Sequence, residues 1–569
     1  MFSPHRARFI GTRHMAAAGH YLAAQAALQI LEAGGNAIDA GVAGGIALGV
    51  VQSEYVGFGG VAPIMVYWAE TNEVITISGL GTWPALTDIE VFNRDFGGKM
   101  PQGLLRTIVP AAPDAWITAL ERYGTMSFGQ VAQAALRYAR DGFPAPSLMC
   151  EIIADYGDDY KRWPQNAEIY LPNGAPPRTG DLFVQTDLGK IIQYMIDQEA
   201  AAASGGRLAG LKAAHDAFYK GDIARAMVDY HLANGGWLRA DDLANFRSEV
   251  TPAHVARFGG AEIFTCGPWC QGPILGQAMA MLDGVDLAAL GHNSPAYIHR
   301  LTETLKLAYG DRHELYGDPN FNDVPMDTLY SPTYAQQRRA GIDPDRAFDG
   351  MPPAGLPSNW GKPATKPDVE KDPGQLDTSY VCAVDRWGNA FSATPSDGSV
   401  GAPIIPGLGF VPSARGVQSS LDPRSPAKVG PGRRPRLTPS PGFARKAGEW
   451  LMPIGSPGND VQPQAMLQVY LNMHVFGMSP QEAIDAPRFA TFSYPRSSIP
   501  HPYDPNLMKL ESRIAAETVE ALKAMGHDAR SWSDWDYAAG GVCTVFYDQR
   551  RGTFEGGSDP RRPTAVAGW

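Results

Sequence analysis

The sequence predicts a mixed fold, α/β or α+β, and three observations carry that prediction. Helical and strand-like patterns alternate in both halves of the 569-residue chain. Hydrophobic residues make up 44% and charged residues 19%, the composition of a globular chain with a large buried core. No segment repeats with a fixed period, which excludes solenoids and propellers.

The elements follow in order. Tyr21 to Ala33 reads as a helix whose apolar side carries Leu28, Leu31 and the alanines, stopped by Gly34-Gly35. The apolar run Ala40 to Val51, bounded by Asp39 and Gln52, is too short to span a bilayer. A glycine-rich turn at Gly57–Gly60 precedes strands at Ile64–Trp68 and Val74–Ser78, on either side of a turn at Thr71-Asn72. Residues from about 105 to 310 read as mostly helical. Residues 340–376, rich in Pro, Asp and Lys, read as a mobile or exposed linker. After it, Ser379 to Thr394 reads as a β-hairpin turning at Asp385–Asn389, and Pro395 to Pro441 as loop. Trp450–Ile454 is then a strand, Gly455–Asn459 a tight turn and Pro463 to Phe476 a helix. Val542–Tyr547 and Thr553–Gly556 form a last strand pair.

The formal charge of −11 argues against nucleic acid as the main partner, although Arg433, Arg434 and Arg436 form a local basic patch. Five scattered cysteines do not make a disulfide framework and fit a reducing compartment. No sustained apolar segment follows the basic start, since His20 and Gln25 interrupt it. A soluble, cytoplasmic protein with no membrane partner is expected.

Screening for chemistry removes several classes. There is no Walker A sequence, no HExxH, no EF-hand loop and no Gly-x-Ser-x-Gly elbow. Cys266 and Cys270 lack a second pair at zinc spacing, so no metal is expected. Gly57–Gly60 suits a close backbone approach better than a phosphate loop. Asp311, His313, Glu314 and Asp318 read as the solvated or capped face of a helix end. Two signals remain. With Trp387 at the turn centre, antiparallel pairing sets Ser396 opposite Thr378, either a structural hydroxyl pair or a nucleophile with its support. Gly455-Ser-Pro-Gly458-Asn459-Asp460 is a strand–turn–helix junction. Its N–H groups suit an oxyanion, or it is a plain helix start capped by Asn459 or Asp460.

The chain resembles the gamma-glutamyltranspeptidase family of N-terminal-nucleophile hydrolases. The resemblance rests on LEAGGNAIDAGVAGGIALGVVQSEYVGFGG, TSYVCAVDRWGNAFSAT, IGSPGNDVQPQAMLQV, SPQEAIDAPRF and GGSDPRR, in that order along nearly the whole chain. It implies an α+β fold, a four-layer αββα sandwich. It also implies self-cleavage between Asp377 and Thr378 into a large subunit, 1–377 with the linker 340–377 before the cut, and a small subunit, 378–569. Thr378 would be the nucleophile and its freed α-amine the base. Ser396 would support it, and Gly458 and Asn459 would bind the oxyanion. No cofactor is implied. The partners implied are a small-molecule amide and the two subunits of one precursor, with a homodimer of that heterodimer allowed.

The implied substrate pocket departs from the family pattern. The family's carboxylate-binding Arg falls at Leu80, in Ser78-Gly79-Leu80-Gly81. The Asn that helps hold the substrate amine falls at Gly398, and the Gln and Asp that complete that grip fall near Arg415 and Gln418. The paired serines fall at Leu437 and Thr438. Leu80, Arg415, Thr438 and Asp460 are therefore the candidate substrate-binding positions. Losses of this kind change a substrate rather than tune it. Hydrolysis of a non-γ-glutamyl, carboxylate-bearing amide is expected, as in the divergent oxamate amidohydrolases and cephalosporin acylases, with Arg415 as the guanidinium for the acid group. Two other readings stay open: a true γ-glutamyl hydrolase or transpeptidase, and an unprocessed binding protein without activity.

Overall fold

The computed structural model describes residues 6–358, 360 and 377–569. Its core is two seven-stranded antiparallel sheets. Their strands in chain order are β1 (Phe9–Gly11), β2 (Met15–Ala18), β3 (Ile64–Trp68), β4 (Glu73–Ile77), β5 (Val250–Pro252), β6 (His254–Phe258), β7 (Ala261–Thr265), β8 (Val381–Val384), β9 (Ala390–Ala393), β10 (Gly442–Lys446), β11 (Trp450–Gly455), β12 (Cys543–Asp548), β13 (Thr553–Ser558) and β14 (Ala565–Gly568). One sheet runs β14-β2-β8-β9-β3-β4-β5 and the other β1-β13-β12-β11-β10-β7-β6.

The sheets face each other across a buried apolar layer that includes Met65, Tyr380, Cys382, Phe443 and Val545. Helices α1 (Tyr21–Glu32) and α2 (Ala37–Val51) cover the outer face of the first sheet. Helices α3 (Gly272–Leu282), α4 (Pro295–Leu315), α5 (Gln462–His474) and α6 (Pro480–Asp485) lie on the side of the second. Helix, sheet, sheet, helix is the four-layer α+β order. Each sheet is buried on both faces, so strands such as β8 are apolar throughout rather than alternating.

Helix α2 explains the apolar run near the start. All its residues are buried. Asn36 and Asp39 form a reciprocal capping box at its N-terminus. Asp385, in the β8–β9 turn, accepts the Ala37 N–H at 2.9 Å. A carboxylate is stabilising there, at the positive end of the helix dipole. Gly41 has no side chain because a Cβ would strike the Phe391 ring on β9. The helix is thereby pressed onto the hairpin that leads to Thr378 and Ser396.

Several expectations need correction. The stretch 105–310 is mostly helical, as expected, but also contains β5, β6 and β7. The β6–β7 hairpin turns at Gly259-Gly260, both at positive φ, a turn signal readable in the sequence. Asp311 and Asp318 are not solvated. Asp311 accepts from Gln277, the Tyr334 hydroxyl and the Gly355 N–H, and Asp318 pairs with Arg434 at 2.6 Å. Arg434 and Arg436 are likewise buried, so the basic run is not a surface patch. One internal ion pair, Asp318–Arg434, joins the two apparent surface clusters, and Arg436 donates to the Arg312 carbonyl. The first part of the 340–376 linker is held to the body: Phe348 N–H bonds Glu303, Met351 N–H the Tyr503 hydroxyl and Gly355 N–H Asp311. Its remainder, 361–376, lies outside the described residues. Among the described residues no helix is long and apolar enough to cross a membrane.

Candidate active site

The β8–β9 ladder pairs Val381 with Ala393 and Val384 with Ala390. Continued outward, it pairs Thr378 with Ser396 in an antiparallel bridge. The register follows from the turn, where Asp385 accepts the N–H groups of Trp387 and Asn389 and Gly388 has φ +85°. Ser396 is clamped from the other side by Val61, in both directions. Gly60 makes this clamp possible, because a Cβ there would collide with the Ser396 carbonyl oxygen. The Gly57–Gly60 turn is a close backbone approach.

Thr378 and Ser396 are fully buried, with hydroxyl oxygens 3.0 Å apart. Donor counting orients them. Ser396 Oγ donates to the Asp377 carbonyl oxygen at 2.6 Å and accepts from the Arg415 guanidinium. Its one proton is thus spent, and the Thr378 hydroxyl donates to Ser396. Gln462 Nε2 donates to Thr378 Oγ1 at 3.2 Å, and Gln462 is itself oriented by the Ser440 N–H. Arg415 Nη2 also donates to the Asp377 carbonyl, at 3.0 Å. Two donors therefore converge on the carbonyl that precedes Thr378.

The Asp377 side chain points the other way. Its Oδ1 accepts from Thr378 N at 2.8 Å and Gly458 N at 3.1 Å, and its Oδ2 from Arg562 Nη1 at 2.7 Å. Asp377 lines a cavity of about 190 Å3, with Gly458, Asn459, Asp460, Arg496, Lys509, Tyr537 and Arg562 among its other walls. Thr378 lies buried behind it.

The candidate turn departs from a simple capped helix. Gly458 has φ +116° and Asn459 φ +50°, a left-handed conformation that Asn tolerates. Neither Asn459 nor Asp460 caps α5 with its side chain. The Asp460 carboxylate binds Arg312, the Ser497 hydroxyl and the Ser497 N–H. Asn459 is anchored through its carbonyl by Gln271 Nε2 at 2.7 Å. The same Gln271 group holds the Thr438 carbonyl at 2.9 Å, and Thr438 pairs reciprocally with Gln418.

Of the candidate substrate positions, Asp460 lines the cavity. Thr438 braces the turn. Leu80 lines a different hollow with Ser78, Thr82, Trp83 and Arg434. Arg415 neither faces water nor lines the cavity. It is fully buried, bound to the Asp377 carbonyl and Ser396, with Asp397 at 3.9 Å. Burial pushes the Asp397 carboxyl up to about 6 against the pull of Arg415. Two residues were not singled out as site residues from sequence. Gln462 was legible, since it follows the candidate turn directly. Arg562 closes the GGSDPRR segment, but its role was not legible, because only folding brings the chain end to Asp377.

Cys266 and Cys270 are buried and free. His299, Glu303 and His527 come together as metal-type side chains, but Glu303 already holds the Lys306 ammonium at 2.9 Å and His299 and His527 bond each other. Nothing else in that trio points to an ion.

Comparison with known proteins agrees with this fold. The gamma-glutamyltranspeptidase family model matches residues 23–569. The acylase ACY 1 proenzyme of Pseudomonas sp. (strain SE83) is 33% identical over 91% of this chain and 87% of its own. The glutathione hydrolase-like YwrD proenzyme of Bacillus subtilis (strain 168) is 29% identical over 98% and 99%. The crystal structure of cephalosporin acylase from Bacillus halodurans superposes with a TM-score of 0.84 at 26% identity, covering 100% of this chain and 99% of that one. A match across almost the whole length, on the same four layers, makes the chain a member of the gamma-glutamyltranspeptidase family.

Proposed function

We propose that the chain is a precursor that cuts itself between Asp377 and Thr378 and then works as an N-terminal threonine amidohydrolase. The observation that carries this is the hydrogen-bond chain from Thr378 Oγ1 to Ser396 Oγ to the Asp377 carbonyl oxygen. Thr378 Oγ1 attacks the Asp377 carbonyl carbon. Its proton passes to Ser396 Oγ as Ser396 hands its own to the carbonyl oxygen, which Arg415 also holds. The C–N bond breaks, the Thr378 nitrogen takes up a proton, and the ester formed is hydrolysed by water. The products are residues 1–377 and a small subunit that begins with a free threonine amine. That amine then serves as base for the same hydroxyl in each turnover, and Gly458 and Asn459 supply N–H groups to the substrate oxyanion.

The substrate we propose is a small non-γ-glutamyl amide with an acid group on its acyl part. Relatives named acylase and glutathione hydrolase are about equally similar, so the family by itself does not choose. The cationic cavity wall of Lys509 and Arg562 supports the choice.

Electrophoresis of the purified protein tests the first part. Two bands are expected, the smaller beginning Thr-Ser-Tyr-Val, and one band for Thr378→Ala. A single wild-type band, or another N-terminus, overturns the cut. Side-by-side assay of glutathione and γ-glutamyl anilide against carboxyacyl amides tests the second part, and efficient γ-glutamyl turnover overturns it.

A further inference from the structure

We infer that Arg562 is the specificity residue of the mature acyl site, and that the site takes amides whose acyl part ends in a carboxylate no more than two carbons from the reacting carbonyl. The inference rests on the self-processing reading above, and deepens it by naming a substrate class.

The argument begins with what Asp377 occupies. Its carboxylate lies between Thr378 and the cavity, on Arg562 Nη1, Gly458 N and Thr378 N. Cleavage frees the backbone of Asp377 from Thr378, and the new C-terminus can leave. The space it vacates is bounded by the nucleophile, an oxyanion donor and a guanidinium.

Arg562 is built to stay where it is. It is 5% exposed. Its Nε and Nη2 both donate to the Tyr537 carbonyl, at 3.3 and 3.0 Å, and its guanidinium stacks on the Tyr537 ring at 5.4 Å. Gly541 leaves room for its stem, since a Cβ there would lie 2.5 Å from Arg562 Cδ. Nη1 is the part aimed at Asp377. Once that carboxylate leaves, a buried cation has lost its partner, a state that strongly favours a replacement anion.

The surrounding charges do not supply one. Asp460, on the same cavity, is committed to Arg312 and Ser497. Arg496 is paired with Asp504 at 3.1 Å, and Lys509 adds positive charge to the wall. Glu54, close enough to Asp377 for their charges to interact, is kept protonated at neutral pH because burial pushes its carboxyl up to about 8.

Geometry sets the length. In Asp377 the carboxylate is separated from the reacting carbonyl by Cα and Cβ alone. If the substrate carbonyl moves instead to the Gly458 N–H, the spacing to Arg562 is shorter still. Half-amides of oxalic, malonic and succinic acid fit, whereas glutaryl and γ-glutamyl groups place three carbons between the two. In turnover, Thr378 Oγ1 displaces the amine from the acyl carbon, and the amine departs with the proton taken from the hydroxyl. Water then cleaves the acyl-threonine ester to release the dicarboxylate.

The test uses mature wild-type enzyme and 4-nitroanilides of malonic, succinic and glutaric half-acids, with the butyric anilide as the uncharged match for succinic. We expect kcat/KM for the malonyl or succinyl anilide to exceed that of the butyryl compound by about 100-fold. The glutaryl compound should fall below the better of the two, and free succinate, but not butyrate, should inhibit competitively. In Arg562→Gln, normalised to the cleaved fraction, the preference over butyryl should disappear, and Arg562→Lys should restore part of it. Butyryl turnover equal to succinyl, or glutaryl turnover above both, with Thr378-dependent activity intact, overturns this inference and leaves the amidohydrolase reading standing. Absence of Thr378-dependent turnover of every anilide overturns both. Should Arg562→Gln fail to cleave itself, the wild-type series and the succinate inhibition still decide.

Discussion

Asp377 is gripped by two buried arginines, and the two sides of Thr378 that they define are built differently. On the inner side, Arg415 and Ser396 hold the backbone carbonyl in a wall with no opening, closed by Asp397 and the Gly60 turn. On the outer side, Arg562 and the Gly458 N–H hold the side chain at the edge of a cavity. A closed wall can act only on the chain's own peptide, while an open one can exchange its ligand. In the reading proposed above, the same threonine is served by one set of donors for self-cleavage and another for a substrate.

The first way to break this comparison is Ser396→Ala. It removes the proton path and one carbonyl donor together, and self-cleavage should slow by about 1,000-fold, read as precursor remaining over time on gels. Cleavage at the wild-type rate would remove Ser396 from the inner side. Arg415→Gln should slow self-cleavage by about 100-fold, the effect of losing one oxyanion donor, yet leave the succinyl-to-butyryl preference of whatever enzyme matures unchanged. A lost preference would mean that Arg415, not Arg562, reads the acid group.

Gly60→Ala sharpens the packing side of the comparison. The added methyl must displace the Ser396 backbone, at a cost of about 1–3 kcal/mol, seen as a lower unfolding midpoint together with slower cleavage. Unchanged stability would show that the inner wall is looser than its contacts suggest.

Glu54→Gln should have the smallest effect, and one that depends on pH. Native Glu54 keeps its proton up to about 8, whereas the unfolded chain releases it near the ordinary glutamate value. Across that window the native state binds more protons, so the contribution of this group to stability falls as pH rises. The variant should melt a few degrees above wild type at pH 9, with the gap closing towards pH 5. A gap that does not change with pH would mean Glu54 is ionised in the fold.

Much of this was legible in the sequence because it is local. The Asp385–Asn389 turn sets the hairpin register, and side-chain alternation then leaves only Ser396 opposite Thr378. The Gly455–Asn459 turn is legible for the same reason. Where partners are distant, local pattern misleads. Asp311 and Asp318 have the composition of a solvated helix end, but Tyr334, Gly355 and Arg434 meet them only after folding. Arg415 reads from the sequence as the guanidinium for a substrate's acid group, but it is buried on Asp397 and the Asp377 carbonyl, which only folding brings to it.

The sequence by itself determined the α2 cap, the hairpin register, the glycine turns and the family, since each depends on residues a few positions apart or on ordered motifs. Which arginine holds which oxygen of Asp377 was decided only by the tertiary structure. Arg562 lies at the far end of the chain, and its charge acquires a partner only when β13 and β14, on either side of it, join their separate sheets and carry it to Asp377.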